Sequence, residues 1–199
     1  MPIEEVLTKI LGNSSLELLR QDDSTVAATS ALAGKKYLML YLSASWCRPC
    51  RLFTPELAKF YESFHETLNF EIVFVSQDRD SRSMLAYFFN PKYSRSAVRG
   101  GEGSHGNWLA LPYEQAGSVS KMLMWRYKIP GIPTLLLFDL ESGKLMTRKA
   151  RDLVMHTLDT AEGFPWDESK EGSVVQDSSW QRQMLLWAVF LLFIYYFWK

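Results

Sequence analysis

The sequence has very little cysteine: two residues in 199, Cys47 and Cys50, with only Arg48 and Pro49 between them. That scarcity excludes the multi-disulfide framework on which small secreted domains depend. An excess of charge is missing too, because 22 basic and 22 acidic residues sum to zero. Nothing global therefore draws the chain to nucleic acid, and no nucleic-acid partner is expected. Histidine is sparse, and His65, His105 and His156 stand at no spacing that would complete a zinc site begun by two thiolates. Neither a metal nor a bound organic cofactor is expected. The first fifteen residues hold Glu4 and Glu5 and no long apolar run, which argues against a secretory signal and an Arg-rich transit peptide. The expectation is a domain that stays in the cytosol.

What is present centres on residues 45 to 51, Ser-Trp-Cys-Arg-Pro-Cys-Arg. Tyr37 to Ser43 before it is an apolar run of buried-strand length, and Phe53, Leu57, Phe60, Phe64 and Leu68 after it recur at helical spacing. The motif thus falls where a strand hands over to a helix. There, unpaired backbone N–H groups and the positive end of the macrodipole favour a thiolate over a thiol. Cys47 is the candidate nucleophile and Cys50, one turn on, the candidate resolving thiol. A purely structural disulfide would gain only roughly 2 kcal/mol from so small a ring. Two inert thiols remain a further reading, but Cys-x-x-Cys between strand and helix is a specific redox signal.

Elsewhere the pattern is α/β, with room for one domain and an appendage. Residues 3 to 20 read as an amphipathic helix, interrupted near Gly12 and resumed over Leu16 to Leu19. Thr25 to Ala28 reads as a short edge strand. The helix after the motif should run to about Asn69 with a kink at Pro55. Residues 70 to 75 should form a parallel strand beside the first. Residues 81 to 90 suggest a helix capped by Ser81, and the glycine-rich stretch 91–107 a mobile insertion, with a contact surface as the other reading. A helix over 118–127 and a strand over 135–138 follow, and Lys144 to Arg151 should pair back as an antiparallel strand. The division expected is a domain over 1–166, a polar linker over 167–183 and an apolar segment over 184–198.

The strand order, the Trp-Cys-x-Pro-Cys motif and Ile132-Pro133-Thr134 resemble the thioredoxin fold, a central mixed sheet flanked by helices. Within that superfamily the chain is most similar to the tryparedoxins of kinetoplastids. The likeness rests on Ser43 to Arg51, Phe53-Thr-Pro-Glu56, Phe60-Tyr61, Phe64-His-Glu66, Trp108-Leu-Ala-Leu-Pro112 and Phe164-Pro-Trp166. Tyr41 stands where thioredoxins place a buried aspartate, as in tryparedoxins. The resemblance implies relay of electrons from trypanothione to protein disulfides such as those of peroxiredoxins. It also implies a cis-Pro133 facing the motif, support from Trp46, Pro49 and Tyr41, and a substrate site at Ile132 and Arg151, with Arg51 beside them. Arg48 replaces a proline usual in the family, Gln77-Asp78-Arg79 stands where relatives carry Trp-Asp-Glu, and the insertion is largely absent from relatives. A nucleoredoxin-like or thioredoxin-like reductase fed by a flavoprotein is the alternative, and a membrane-tethered binding module without turnover is another.

Residues 184–198 contain no charge. As a helix they span about 22 Å at ~1.5 Å per residue, short of the ~30 Å hydrocarbon core of a bilayer. The expectation is a tail-anchored transmembrane helix with the domain facing the cytosol, at the mitochondrial outer membrane in preference to the endoplasmic reticulum.

Overall fold

The computed structural model describes residues 1–93 and 104–168. Contacts divide the chain into a unit at 1–166 and a second at 167–199. The tail segment 184–198, the linker beyond Glu168 and the insertion between 94 and 103 lie outside the described residues. Among the described residues no helix is long and apolar enough to cross a membrane.

The first unit is built on β3 (Tyr37–Ser43) and β4 (Phe70–Ser76), parallel neighbours in register from Tyr37↔Phe70 to Ser43↔Ser76. Every residue of both strands is buried. Such strands are covered on two faces and need apolar side chains at successive positions. On the other side of β3 lies β6 (Thr134–Asp139), antiparallel, and beyond it β7 (Lys144–Thr147). A short β5 (Leu109–Ala110) pairs parallel to β4 and carries the sheet on to β1 (Glu17–Leu19) and edge strand β2 (Thr25–Ala27). The mixed sheet therefore has the order β2-β1-β5-β4-β3-β6-β7 among the described residues.

Because side chains alternate across a strand, the sheet separates two cores. Tyr37, Met39, Tyr41, Ile72 and Phe74 share one face with Phe53, Leu57 and Phe60 of α3 (Arg48–Phe64), Phe88 of α4 (Ser81–Phe88) and Val154 of α6 (Ala150–His156). Leu38, Leu40, Leu42, Val73 and Val75 face Val6, Leu7 and Ile10 of α1 (Ile3–Leu11), Ala28 of α2 (Ala28–Ala31) and Leu123 of α5 (Tyr113–Tyr127). Phe164 and Trp166 close the first core, with ring centroids 5.1 Å from Tyr37 and 5.9 Å from Phe60 respectively.

Several elements differ from the sequence reading. Leu16 to Leu19 does not resume a helix: Leu18 enters one core and Leu19 the other, and β1 finds strand partners on both sides. Four residues cannot repay helix nucleation, whereas two ladders satisfy their backbone. Helix α3 ends at Phe64 instead of Asn69, and the turn that follows still lays Leu68 on the core, which prolonged the apolar period. Asp80, not Ser81, caps α4, accepting from the Ser83 N–H at 2.7 Å. Helix α5 begins five residues earlier than residue 118, at Tyr113. The last strand stops at Thr147, and Arg151 belongs to the first turn of α6, whose buried Ala150 and Val154 recur at helical spacing.

Candidate active site

Cys47 is the N-cap of α3, with extended backbone at φ −85° and ψ 105°. Its Sγ accepts a hydrogen bond from the Cys50 N–H at 3.3 Å, so a first-turn donor with no helical partner points at sulfur. Arg48 and Pro49 form the start of the helix, and Pro49 sits where its missing N–H leaves no bond unmade. The two cysteines are joined as a disulfide. Cys47 is 6% exposed and Cys50 fully buried beneath it. The motif's Trp46 is 55% exposed and donates its indole N–H to the Gln77 carbonyl at 3.2 Å.

Facing the pair is the loop that enters β6. The Ile132–Pro133 bond is cis, and the Ile132 carbonyl oxygen lies 3.8 Å from Cys47 Sγ. Ile132 also packs on the small cluster of Ala44, Cys47 and Cys50. Thus Trp46, Cys47, Pro49, Cys50, Ile132 and Pro133 gather at one point. Arg51 is exposed beside it, and its backbone N–H bonds the Cys47 carbonyl at 3.1 Å. Arg151 is half-buried on α6, 3.6 Å from Asp152, and its Nε is enclosed with no hydrogen-bond partner among the described residues.

Behind Cys50 lies a hydroxyl network that sequence reasoning found only at Tyr41. Thr54, four residues along α3, returns its hydroxyl to the Cys50 carbonyl at 2.9 Å. It also lies 2.8 Å from the Tyr41 hydroxyl and 2.6 Å from that of Tyr87, which in turn reaches Ser43 at 3.1 Å. Burial pushes the Tyr41 phenol far above its ordinary range, so it stays a neutral donor. Asp78 was missed as well. Its carboxylate accepts from the Ser45 N–H at 2.9 Å, the Ser45 hydroxyl at 2.6 Å and the Ser76 hydroxyl at 2.8 Å, bracing the loop that carries Trp46 and Cys47. The signal for it was available: parallel strands with Ser43 level with Ser76 place residues 45 and 78 side by side.

A cleft of about 430 Å³ adjoins this brace, lined by Gln77, Asp78, Tyr113, Glu114, Lys121 and Met124 among others. No cluster of three or more His, Cys, Asp or Glu among the described residues is arranged to hold a metal ion. The insertion's His105 is no surface residue: it is fully buried among Tyr41, Phe74, Tyr87, Phe88 and Trp108. The Trp108 indole donates to its Nδ1 at 3.2 Å, and burial pushes its pKa down to about 3.

With one sulfur reachable and the other sealed behind it, the pair trades two thiols for one disulfide, and the site is that of a dithiol/disulfide oxidoreductase. The chain belongs to the thioredoxin-like family, whose model matches residues 34–145. It is 38% identical to tryparedoxin of Trypanosoma brucei brucei over 136 residues, 68% of this chain and 82% of that one. Nucleoredoxin of Danio rerio is 39% identical over 165 residues, 80% of this chain but 35% of the longer protein. Among solved structures, tryparedoxin II complexed with glutathionylspermidine superposes with a TM-score of 0.65 at 31% identity, covering 82% of this chain and 99% of that one.

Proposed function

We propose that the protein relays electrons from a low-molecular-weight dithiol of the trypanothione type to protein disulfides, peroxiredoxins among them. In the forward half-reaction the Cys47 thiolate attacks a partner disulfide and expels one partner thiolate. Cys50 then attacks Cys47 Sγ, releases the second thiolate and closes the internal disulfide. Two electrons pass to the partner, and the reductant restores the pair by the reverse exchange. The observation that carries the reading is the N-cap Cys47 standing against the cis-Pro133 loop, in a chain similar over most of its length to a protein solved with glutathionylspermidine. The cleft beside Gln77 gives the body of a peptide-like dithiol room to lie. Ile132, Arg51 and Arg151 do not line that cleft and are the proposed contacts of the dithiol beside the cysteines themselves.

Similarity to nucleoredoxin supports a second reading, in which a flavoprotein reductase feeds the same cysteines. Reduction of insulin disulfides in separate assays decides between them. Turnover with trypanothione and its reductase, and none with thioredoxin reductase, is expected. The opposite result would transfer the chain to the second reading, and no turnover with either would favour a binding module. We further propose that residues 184–198 hold the domain at the cytosolic face of a membrane, the mitochondrial outer membrane in the first instance. The support is the absence of charge across that stretch.

A further inference from the structure

The chain is neutral as a whole, with 22 basic and 22 acidic residues, but its charges are not evenly placed. Strands β3, β4 and β7 run one way and β6 the other. The segments leaving Ser43, Ser76 and Thr147 are therefore directed to the same end of the sheet as the one entering Thr134. Those segments hold the cysteines and, with them, Arg48, Arg51, Arg79, Arg148, Lys149 and Arg151. The first five are exposed, and none of the five forms an ion pair among the described residues. The acidic residues of the same segments are committed elsewhere. Asp78 is buried in its hydrogen bonds to Ser45 and Ser76, Asp80 caps α4 through Ser83, and Asp152 pairs with Arg151.

We infer that the disulfide reduced at Cys47 lies on a protein surface rich in carboxylates, and that the unpaired cations around the motif select it. The inference rests on the relay function above and names the partner's chemistry. Arg148 donates to the Tyr127 carbonyl at 3.0 Å, but exposed cations with no acidic partner among the described residues stabilise the fold little, since even paired surface charges contribute ~0–1 kcal/mol. Gathered round a nucleophile, they raise the local concentration of an anionic substrate and its rate of encounter by roughly 10-fold or more at low salt. A basic partner meets the same field with the opposite sign.

Three disulfide peptides of equal length, flanked by Asp and Glu, by Lys, or by Ser and Gly, provide the test with the full chain. At low ionic strength kcat/KM should fall from acidic through neutral to basic, the extremes differing by ~10-fold or more, and the spread should collapse as salt shortens the screening length. In an Arg79→Glu, Lys149→Glu double variant the acidic-to-basic ratio should shrink several-fold. Equal rates for the acidic and basic peptides at low salt would overturn the inference while leaving the relay function standing. Failure to reduce even the neutral peptide would instead remove the relay function. Salt-sensitive retention on phosphatidylserine vesicles, with no discrimination among the peptides, would assign the surface to a membrane and overturn the inference.

Discussion

Cys47 is the partly exposed member of the pair, at 6% against 0% for Cys50, and it is also the N-cap of α3, a position that favours it as the nucleophile. A negative charge there gains ~0.3–1 kcal/mol from the helix terminus, and up to ~2 kcal/mol when partly buried, in addition to the Cys50 N–H bond. Cys47→Ser should therefore abolish disulfide reduction, whereas Cys50→Ser should complete one attack and accumulate mixed disulfides visible on non-reducing gels. Equal single-round reactivity of the two variants would reverse the assignment. His105 gives the second prediction at this scale. Among the described residues no charged group faces its ring: its neighbours are Tyr41, Phe74, Tyr87, Phe88 and Trp108. Its folded pKa lies near 3 against an ordinary 6.5, so between those values the unfolded chain binds more protons. Its contribution is full above ~6.5 and is lost as pH falls through that window, at about 1.4 kcal/mol per pH unit. His105→Gln keeps an acceptor for Trp108 and cannot titrate. Urea midpoints of the two proteins should therefore converge between about pH 6 and 4. A constant difference across that range would refute a ring held neutral by the fold.

At the scale of elements, the active-site loop is held by a neighbour strand and not by its own helix alone. Asp78, just past β4, accepts two hydrogen bonds from Ser45 and one from Ser76. Hydrogen bonds to a charged group contribute about 1.5–3 kcal/mol, and removal of the carboxylate also strands the Ser45 N–H. Asp78→Ala should lower unfolding stability by ~2–4 kcal/mol and slow the attack of Cys47 on a small disulfide in single turnover. An unchanged denaturation midpoint would show the brace to be dispensable. The central elements were legible because their sequences agree at several levels at once. Tyr37 to Ser43 and Phe70 to Val75 have strand composition, strand length and flanking turns, and Phe53 to Phe60 keeps helical period. The misread segments are those in which a long-range partner decides. β1 is a strand because β2 and β5 flank it, and two-residue β5 carries no periodic signal of its own. The cysteine pair and the cis-proline that faces it were likewise readable from local motif and family likeness. Thr54 lies one helical turn after Cys50 and carried no mark of its own, whereas Tyr87 and Asp78 come from elsewhere in the chain and only helix packing or pairing register brings them to the motif.

For the whole molecule, zero net charge describes neither the active-site end nor the segment beyond the linker. Residues 1–166 form one contact unit that buries two cores, so the domain has no need of residues 184–198 to fill its interior. An uncharged stretch of aromatic and aliphatic residues exposed to water would be costly, at roughly 25 cal/mol for each Å² of apolar surface. A bilayer removes that cost. A helix over that stretch would span about 22 Å, short of ~30 Å of hydrocarbon, a shortfall that local thinning or use of Trp180 to Gln183 would make up at a fraction of a kcal/mol per Å. Full-length protein should therefore stay in the pellet after alkaline carbonate extraction, and a truncation after Asp177 should appear in the supernatant with its dithiol activity intact. If the domain faces the cytosol, as proposed, protease added to intact organelles should remove it. Release of the full-length chain by carbonate, or a domain shielded from protease until the membrane is dissolved, would overturn the membrane assignment without touching the redox chemistry at Cys47.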